Sequence, residues 1–320
     1  MPFINFVHAK NFSKVFRRFL KTNGSFSNHL LQFVPDSHQV SQYEVAHMSK
    51  FINSCSKVFV ITGAGVSTES GIKDYRSEKV GLYATSKQRP IEYLEFLKNP
   101  NKRQKYWARN YLAWPIFSSF QPNVNHHFLS AMEKHGNLHW LVTQNVDSLH
   151  LKAGSVRVTE LHGSSARVVC LTCGNKISRF ELQKQLQHIN SNWRSISSLN
   201  EQGPDGDVFI SESDANQFKM VDCHKCGGIL KPEIVFFGDN VSPTVKELCY
   251  KMLSECDGVL VIGSSLQVYS SFRFIIAAKE KRIPITILNI GETRGDPYAY
   301  LKLPYRAGEV LPKLSLKWMT

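Results

Sequence analysis

Val58-Phe59-Val60-Ile61-Thr62-Gly63-Ala64-Gly65-Val66-Ser67 is an apolar run of strand length that breaks into a Gly-x-Gly turn. A strand buried on both faces reads this way, and glycines at its carboxyl end let backbone N–H groups approach a pyrophosphate with no side chain in between. The turn therefore predicts a dinucleotide site. Position 68 is Thr where the usual fingerprint has a third glycine, so the turn alone does not fix the chemistry.

Working outward, further strands are expected near 138–142, 157–161, 258–262 and 285–288, separated by helical periodicity. This alternation predicts an α/β fold, a doubly wound parallel sheet of Rossmann-like type. The clearest helix opens at Ser242 with Pro243 in its first turn, carries Val245, Leu248, Cys249, Met252, Leu253 and Cys256 on one stripe, and stops before Gly258. A second runs from about Phe272 to Lys281, with Pro284 ahead of a strand that ends at Asn289. Two segments break the pattern and predict a smaller lobe: 84–136, rich in aromatics and helix formers, and 167–232, which holds cysteine pairs around a polar stretch. The expected organisation is a leader over 1–35 and one domain over 36–320. Its large lobe draws on 40–83, 137–166 and 233–315, and its small lobe on a helical insertion at 84–136 and a zinc-ribbon module at 167–232.

The 320 residues are 42% hydrophobic and 20% charged, an ordinary globular balance with enough chain for a full core. No apolar stretch approaches the roughly 18 residues of a membrane span, so none is expected. Of the net charge of +13, five units come from Lys10, Lys14, Arg17, Arg18 and Lys21, and no acid precedes Asp36. Phe12, Val15, Phe16, Phe19 and Leu20 fall opposite these cations at helical spacing, which reads as a mitochondrial presequence and places the protein in the matrix. A basic surface helix or tail is the alternative. The rest of the chain is basic without a run of like charges, so nucleic acid is not required, and an anionic cofactor or acidic substrate suits the field.

Four of the seven cysteines fall as Cys170-x-x-Cys173 and Cys223-x-x-Cys226, each pair followed closely by glycine. Two residues between thiolates form a knuckle that presents both sulfurs to one tetrahedral ion, which predicts one structural zinc held by four thiolates. Disulfides or a redox dithiol are the competing readings, and the odd cysteine count argues against a disulfide framework. Cys55, Cys249 and Cys256 read as core residues.

Taken together, Gly63 through Arg76, Thr143-Gln144-Asn145-Val146-Asp147, Leu161-His162-Gly163, the two cysteine pairs, Phe237-Gly238-Asp239 and Gly263-Ser264-Ser265 resemble the sirtuin family from about 58 to 308. Tyr75 through Tyr83 and Tyr106-Trp107-Ala108-Arg109-Asn110 resemble the mitochondrial class II sirtuins of animals in particular. One departure is Lys73, where the family has proline, and loss of that restraint predicts a more mobile cofactor loop.

Chemistry and resemblance together assign roles. Gly63, Ala64, Gly65 and Ser67 suit the diphosphate, with Gly263, Ser264 and Ser265 as a second set of donors. Asn289, Ile290 and Gly291 suit the adenosine end, where the resemblance adds Ala307. It also implies that Asp147 and the Ile72 backbone hold the nicotinamide carboxamide, that Asn145 contacts the ribose and a water, and that Gln144 orients the ribose. Asp74, Tyr75 and Arg76 fall in the loop that closes over NAD, although an Asp74–Arg76 pair or a helix cap is the plainer reading. Thr68, Glu69, Gly71, Tyr83 and Val146 complete the implied NAD contacts. His162 reads as the general base, because an imidazole near neutrality takes a proton from a ribose hydroxyl.

The resemblance implies an NAD-dependent protein-lysine deacylase that consumes NAD. The acyl oxygen attacks the ribose carbon as nicotinamide leaves, and His162 activates the 2′-hydroxyl, directly or through the 3′-hydroxyl, toward the resulting imidate. Free lysine, nicotinamide and O-acyl-ADP-ribose follow. Val235, Phe236, Phe237 and Gly238 have the character to pair with a substrate strand. Tyr106 and Arg109 share a helix face and predict preference for an acidic acyl group such as glutaryl or hydroxymethylglutaryl, unless Arg109 points to solvent. Lipoamidase and ADP-ribosyltransferase activities are also implied, and a catalytically weak NAD-binding regulator remains open on account of Lys73. A dehydrogenase fits less well, lacking the third glycine and an acidic ribose partner. Expected partners are acylated mitochondrial proteins and metabolic enzymes, and a monomer is expected.

Overall fold

The computed structural model describes residues 32–85, 89–193, 203–205, 208 and 210–319. The amphipathic leader stripe at 12–21 lies outside the described residues. Six parallel strands form the main sheet in the order β3-β2-β1-β7-β8-β9: β1 (Val58–Thr62), β2 (Leu138–Thr143), β3 (Val158–Glu160), β7 (Gly258–Ile262), β8 (Ile285–Leu288) and β9 (Leu301–Leu303). The chain winds outward from β1 through β2 to β3, then returns beside β1 at β7 and winds the other way. That reversal leaves a crevice at the carboxyl ends of β1 and β7, the place where an open α/β sheet takes its ligand.

β1 and β7 are buried along their whole length, as their unbroken apolar runs require. One face packs on helices Gln42–Ser54 and Val124–Lys134 through Met48, Ile52, Phe128 and Leu129; the other packs on Pro243–Ser254 and Tyr269–Glu280 through Cys249, Leu253, Phe274 and Ile275. The helix Pro243–Ser254 thus buries Cys249 and Leu253 as its stripe predicts, while Leu248 stays 38% exposed.

The small lobe has a three-stranded antiparallel sheet, β5-β4-β6, from β4 (Gly163–Cys170), β5 (Lys176–Ser178) and β6 (Leu230–Ile234). Against it lies the helix Pro100–Ser119, started by Asn99, whose side chain accepts from Asn101 N and Lys102 N. The fully buried Arg179 joins the two halves: its Nε donates to Asn110 Oδ1 at 2.8 Å and its guanidinium faces the rings of Trp107 and Trp114. Burial pushes this guanidinium down to about 9. The helix Val124–Lys134 is a correction to the expected lobe boundary at 136. Its apolar stripe is covered by Val60 and Leu141 of the main sheet, so it belongs to the large lobe.

Two turns fix the crevice. Gly65 N donates to Gly263 O at 2.9 Å and Gly63 N to Ile262 O at 3.2 Å, so the turns after β1 and β7 touch backbone to backbone. A Cβ on Gly65 would stand 2.9 Å from Gly263 O, and Gly263 itself has φ +58. Gly65→Ala is therefore expected to lower stability by about 1–3 kcal/mol, read as a fall in urea midpoint. An unchanged midpoint would mean the two turns are not in contact.

Candidate active site

The crevice opens into a cleft of about 1270 Å³ between the lobes. From the β1 turn come Gly63, Ala64, Gly65, Ser67, Thr68 and Ile72, and from the β7 turn Gly263, Ser264 and Ser265. The backbone N–H groups of Ala64, Ser264 and Ser265 have no acceptor among the described residues, which suits phosphate oxygens. Asn289, Ile290, Gly291 and Ala307 line one end of the cleft, and Val235, Phe236, Phe237 and Gly238 line the wall contributed by the small lobe.

At the centre, Gln144, Asn145, Val146 and Asp147 follow β2 into the cleft. Ser67 Oγ donates to Asp147 Oδ2 at 2.7 Å, and Asn145 Nδ2 donates to Ser67 Oγ and to Gly63 O, both at 3.1 Å. Burial holds the Asp147 carboxyl above its ordinary range, with the Leu149 N–H and Ser67 hydroxyl pulling the other way. Behind Ser67 lie His126, with Nε2 3.4 Å from its hydroxyl, and His150, with Nε2 2.9 Å from Thr62 Oγ1. Burial keeps both imidazoles neutral and pushes His150 down to about 3.

His162 sits between β3 and β4, with Nδ1 2.9 Å from the Gln144 carbonyl and Nε2 2.7 Å from Ser270 Oγ. A carbonyl only accepts, so Nδ1 carries the proton and Nε2 presents the lone pair. Burial lowers this imidazole below its ordinary 6.5, partly offset by the Gln144 carbonyl. The ring is a neutral acceptor at physiological pH.

The cofactor loop is organised by Asp74, whose Oδ1 accepts from Arg76 N at 3.0 Å and Ser77 N at 2.8 Å, while its other oxygen accepts from the Ser77 hydroxyl. The carboxylate caps a turn, and Arg76 turns toward the Tyr83 ring. Asp74, Tyr75 and Arg76 all line the cleft. Lys73 is buried: its ammonium donates to Thr85 Oγ1 at 3.2 Å and lies 5.4 Å from the Phe33 ring centroid.

Five expected site residues do not line the cleft. Glu69 turns away to accept from Gly308 N and Asn125 Nδ2, tying the turn to the large-lobe helices. Gly71, at φ +90, shapes the loop beneath, and Tyr83 packs outside it on Tyr75. Tyr106 is 5% exposed and packs among Phe96, Trp107 and Phe236 in the small-lobe core. Arg109, one turn on in that helix, is half-buried and is not among the residues lining the cleft. Part of the expected substrate edge is also taken, because Phe237 O accepts from Tyr93 N at 2.8 Å.

Other lining residues had no sequence signal: Val34, Pro35 and Asp36, Pro204 and Asp205, and Gln267 through Ser270. Val34 and Pro35 fall within the expected leader, so a boundary at 35 runs through the cleft wall.

The four cysteine sulfurs lie within 4.8 Å of one another, with Cys170 and Cys226 at 3.5 Å and Cys173 and Cys223 at 3.7 Å. Thiolates on a tetrahedral zinc with bonds of about 2.3 Å stand roughly 3.8 Å apart, so the donor set fits. N–H groups of Cys173 and Thr172 lower the Cys170 thiol, while the neighbouring sulfurs raise Cys226.

A profile of the Sir2 family matches residues 63–270. The chain belongs to the Sir2 family. It is accordingly an NAD-dependent enzyme of the protein-deacylase kind with a four-cysteine structural zinc site. It is 53% identical over 280 residues to the human "NAD-dependent protein lipoamidase sirtuin-4, mitochondrial", covering 88% of each chain, and 45% identical over 298 residues to the Drosophila melanogaster "NAD-dependent protein deacylase Sirt4", covering 93% of this chain and 95% of the relative. Its fold is similar to a solved Sir2 complex with p53 peptide and NAD, at TM-score 0.66 and 26% identity over 83% of this chain and 95% of that one.

Chelation is expected to remove one zinc per chain and to loosen the small lobe, read as loss of the near-ultraviolet signal of Trp107 and Trp193. Purified protein with no zinc and an intact signal would contradict this site.

Proposed function

We propose that the chain removes acyl groups, lipoyl among them, from lysines of mitochondrial matrix proteins and metabolic enzymes, with His162 as general base. The observation that carries this reading is the grouping in one cleft of the Ser67–Asp147–Asn145 chain and a neutral His162 whose Nε2 bonds Ser270 on the cleft wall. NAD, when bound, supplies an electrophilic ribose carbon and the hydroxyl from which a proton must be taken. The N–H groups of Ala64, Ser264 and Ser265 hold its diphosphate. Asp147 and the Ile72 backbone orient the carboxamide of the leaving group, and Asn145 fixes the sugar face beside them. His162 Nε2 takes the hydroxyl proton, and Gln144 O accepts from Nδ1 and steadies the imidazolium that results.

Mitochondrial placement is supported by the names of the relatives and by the basic, acid-free leader. Lipoyl is supported by the names of the human and bovine relatives, and acidic acyl groups by Arg109 one turn from the buried Tyr106. Partners are proteins bearing the acyl-lysine. Among the described residues no helix is long and apolar enough to cross a membrane.

The test is mass spectrometry of protein incubated with NAD and peptides carrying lipoyl-, acetyl-, glutaryl- and hydroxymethylglutaryl-lysine. Loss of lipoyl that requires NAD and falls at least 100-fold in His162→Ala is expected. ADP-ribose appearing on added protein without acyl loss would instead make the enzyme a transferase. The acid limb of kcat/KM is expected below pH 6.5, because the lowered imidazole stays neutral until more acid is present. A limb above that value would contradict the assignment of His162.

A further inference from the structure

The geometry points to Ser270 as a positioning residue for the base: its hydroxyl donates to His162 Nε2 and holds the neutral ring with its lone pair toward the cleft. This rests on the proposed role of His162. The bond is 2.7 Å long, and Ser270 lines the cleft while Gln144 O, at 2.9 Å, fixes the opposite nitrogen. With Nδ1 committed as donor, Nε2 can only accept, so the direction of the Ser270 bond is determined.

The adjacent residue extends the arrangement. Ser271 is fully buried with Oγ 2.8 Å from Gln144 Oε1, and Gln144 Nε2 donates to Ser264 Oγ at 2.7 Å. The first turn of one helix, Tyr269–Glu280, therefore holds the base directly through Ser270 and holds the residue that orients the base through Ser271. The N-cap of that helix, Val268, makes no side-chain bond, and Ser271 Oγ also lies 3.0 Å from Val268 O. A ring pinned at one nitrogen by a single carbonyl can still tilt about that bond. A second pin on Nε2 removes that freedom and, because it bonds the neutral form, favours the unprotonated state. Among the described residues the influences on His162 besides Ser270 are burial and the Gln144 carbonyl.

During turnover the sugar hydroxyl competes for the same lone pair. The O–H bond of the sugar breaks, its proton forms the Nε2–H bond, and the electron pair stays on the sugar oxygen.

Three proteins test this: wild type, Ser270→Ala, and Ser270→Thr, which keeps the hydroxyl. Nitrogen-15 NMR of the His162 ring in the NAD-free enzyme is expected to show the Nδ1–H tautomer in wild type and Ser270→Thr. In Ser270→Ala the ring should titrate at higher pH. In the deacylation assay, Ser270→Ala should lose several-fold in kcat with KM for NAD within about twofold, its acid limb should move up in pH, and Ser270→Thr should restore both. An Ala variant whose ring titration and pH profile match wild type overturns the proposal, as does a Thr variant that behaves like Ala. A wild type with no NAD-dependent acyl loss would sink the functional reading instead, and the NMR titration would still decide the Ser270 bond.

Discussion

The architecture of the site depends on the backbone contact between the turns that follow β1 and β7. Gly65 N to Gly263 O is a bond between two residues without side chains, and a Cβ on Gly263 would meet Val66 N at 2.4 Å. Only because both positions are bare do the two turns close on each other and present their N–H groups to one ligand. That closure also sets where β2 and β3 can deliver their terminal residues, since β2 is registered on β1 and β3 on β2. Asn145, Asp147 and His162 reach the cleft as a consequence of strand register.

The second constraint is electrostatic. Ser67, Asn145, His126 and His150 are withdrawn from water, and such groups are tolerated only when they bond one another. The chain from Ser67 to Asp147 and Asn145 meets that demand and leaves a carboxyl whose burial raises its proton affinity, next to imidazoles that burial keeps neutral. On the far side of β2, His162 is kept neutral by the same means. The centre of the cleft thus carries directional hydrogen bonds with little fixed positive charge, which suits a base that must accept a proton.

What was legible in the sequence was local. The strands β1 and β7 are apolar runs followed directly by glycine turns, β2 and β8 are mostly apolar, and the cysteine pairs encode their own geometry; each was readable without knowing the partner in space. The main sheet's last strand, Leu301–Leu303, is short and half-covered, and escaped notice. Tyr106 and Arg109 illustrate the opposite case. Their helical spacing is as expected, but a shared face does not say what covers it, and Phe96, Trp107 and Phe236 cover Tyr106. Glu69 likewise looked like a cofactor contact by its place in the loop, whereas Gly308 N and Asn125 claim its carboxylate. Ser270, Pro204 and Val34 enter the cleft from distant chain segments, and periodicity carries no signal for that. Lys73, in place of proline, finds Thr85 and Phe33 as its contacts, which local sequence does not show.

In the proposed mechanism an acyl-lysine oxygen meets the ribose carbon of NAD in this cleft while His162 takes the sugar proton. The most direct measurement uses a lipoyl-lysine peptide with oxygen-18 in the acyl carbonyl. After incubation with NAD and hydrolysis of the product ester, the label is read by mass spectrometry. Oxygen-18 in the ADP-ribose is the predicted result. Label retained in the released lipoate, with none in ADP-ribose, would mean that water attacks the amide directly and would contradict the account.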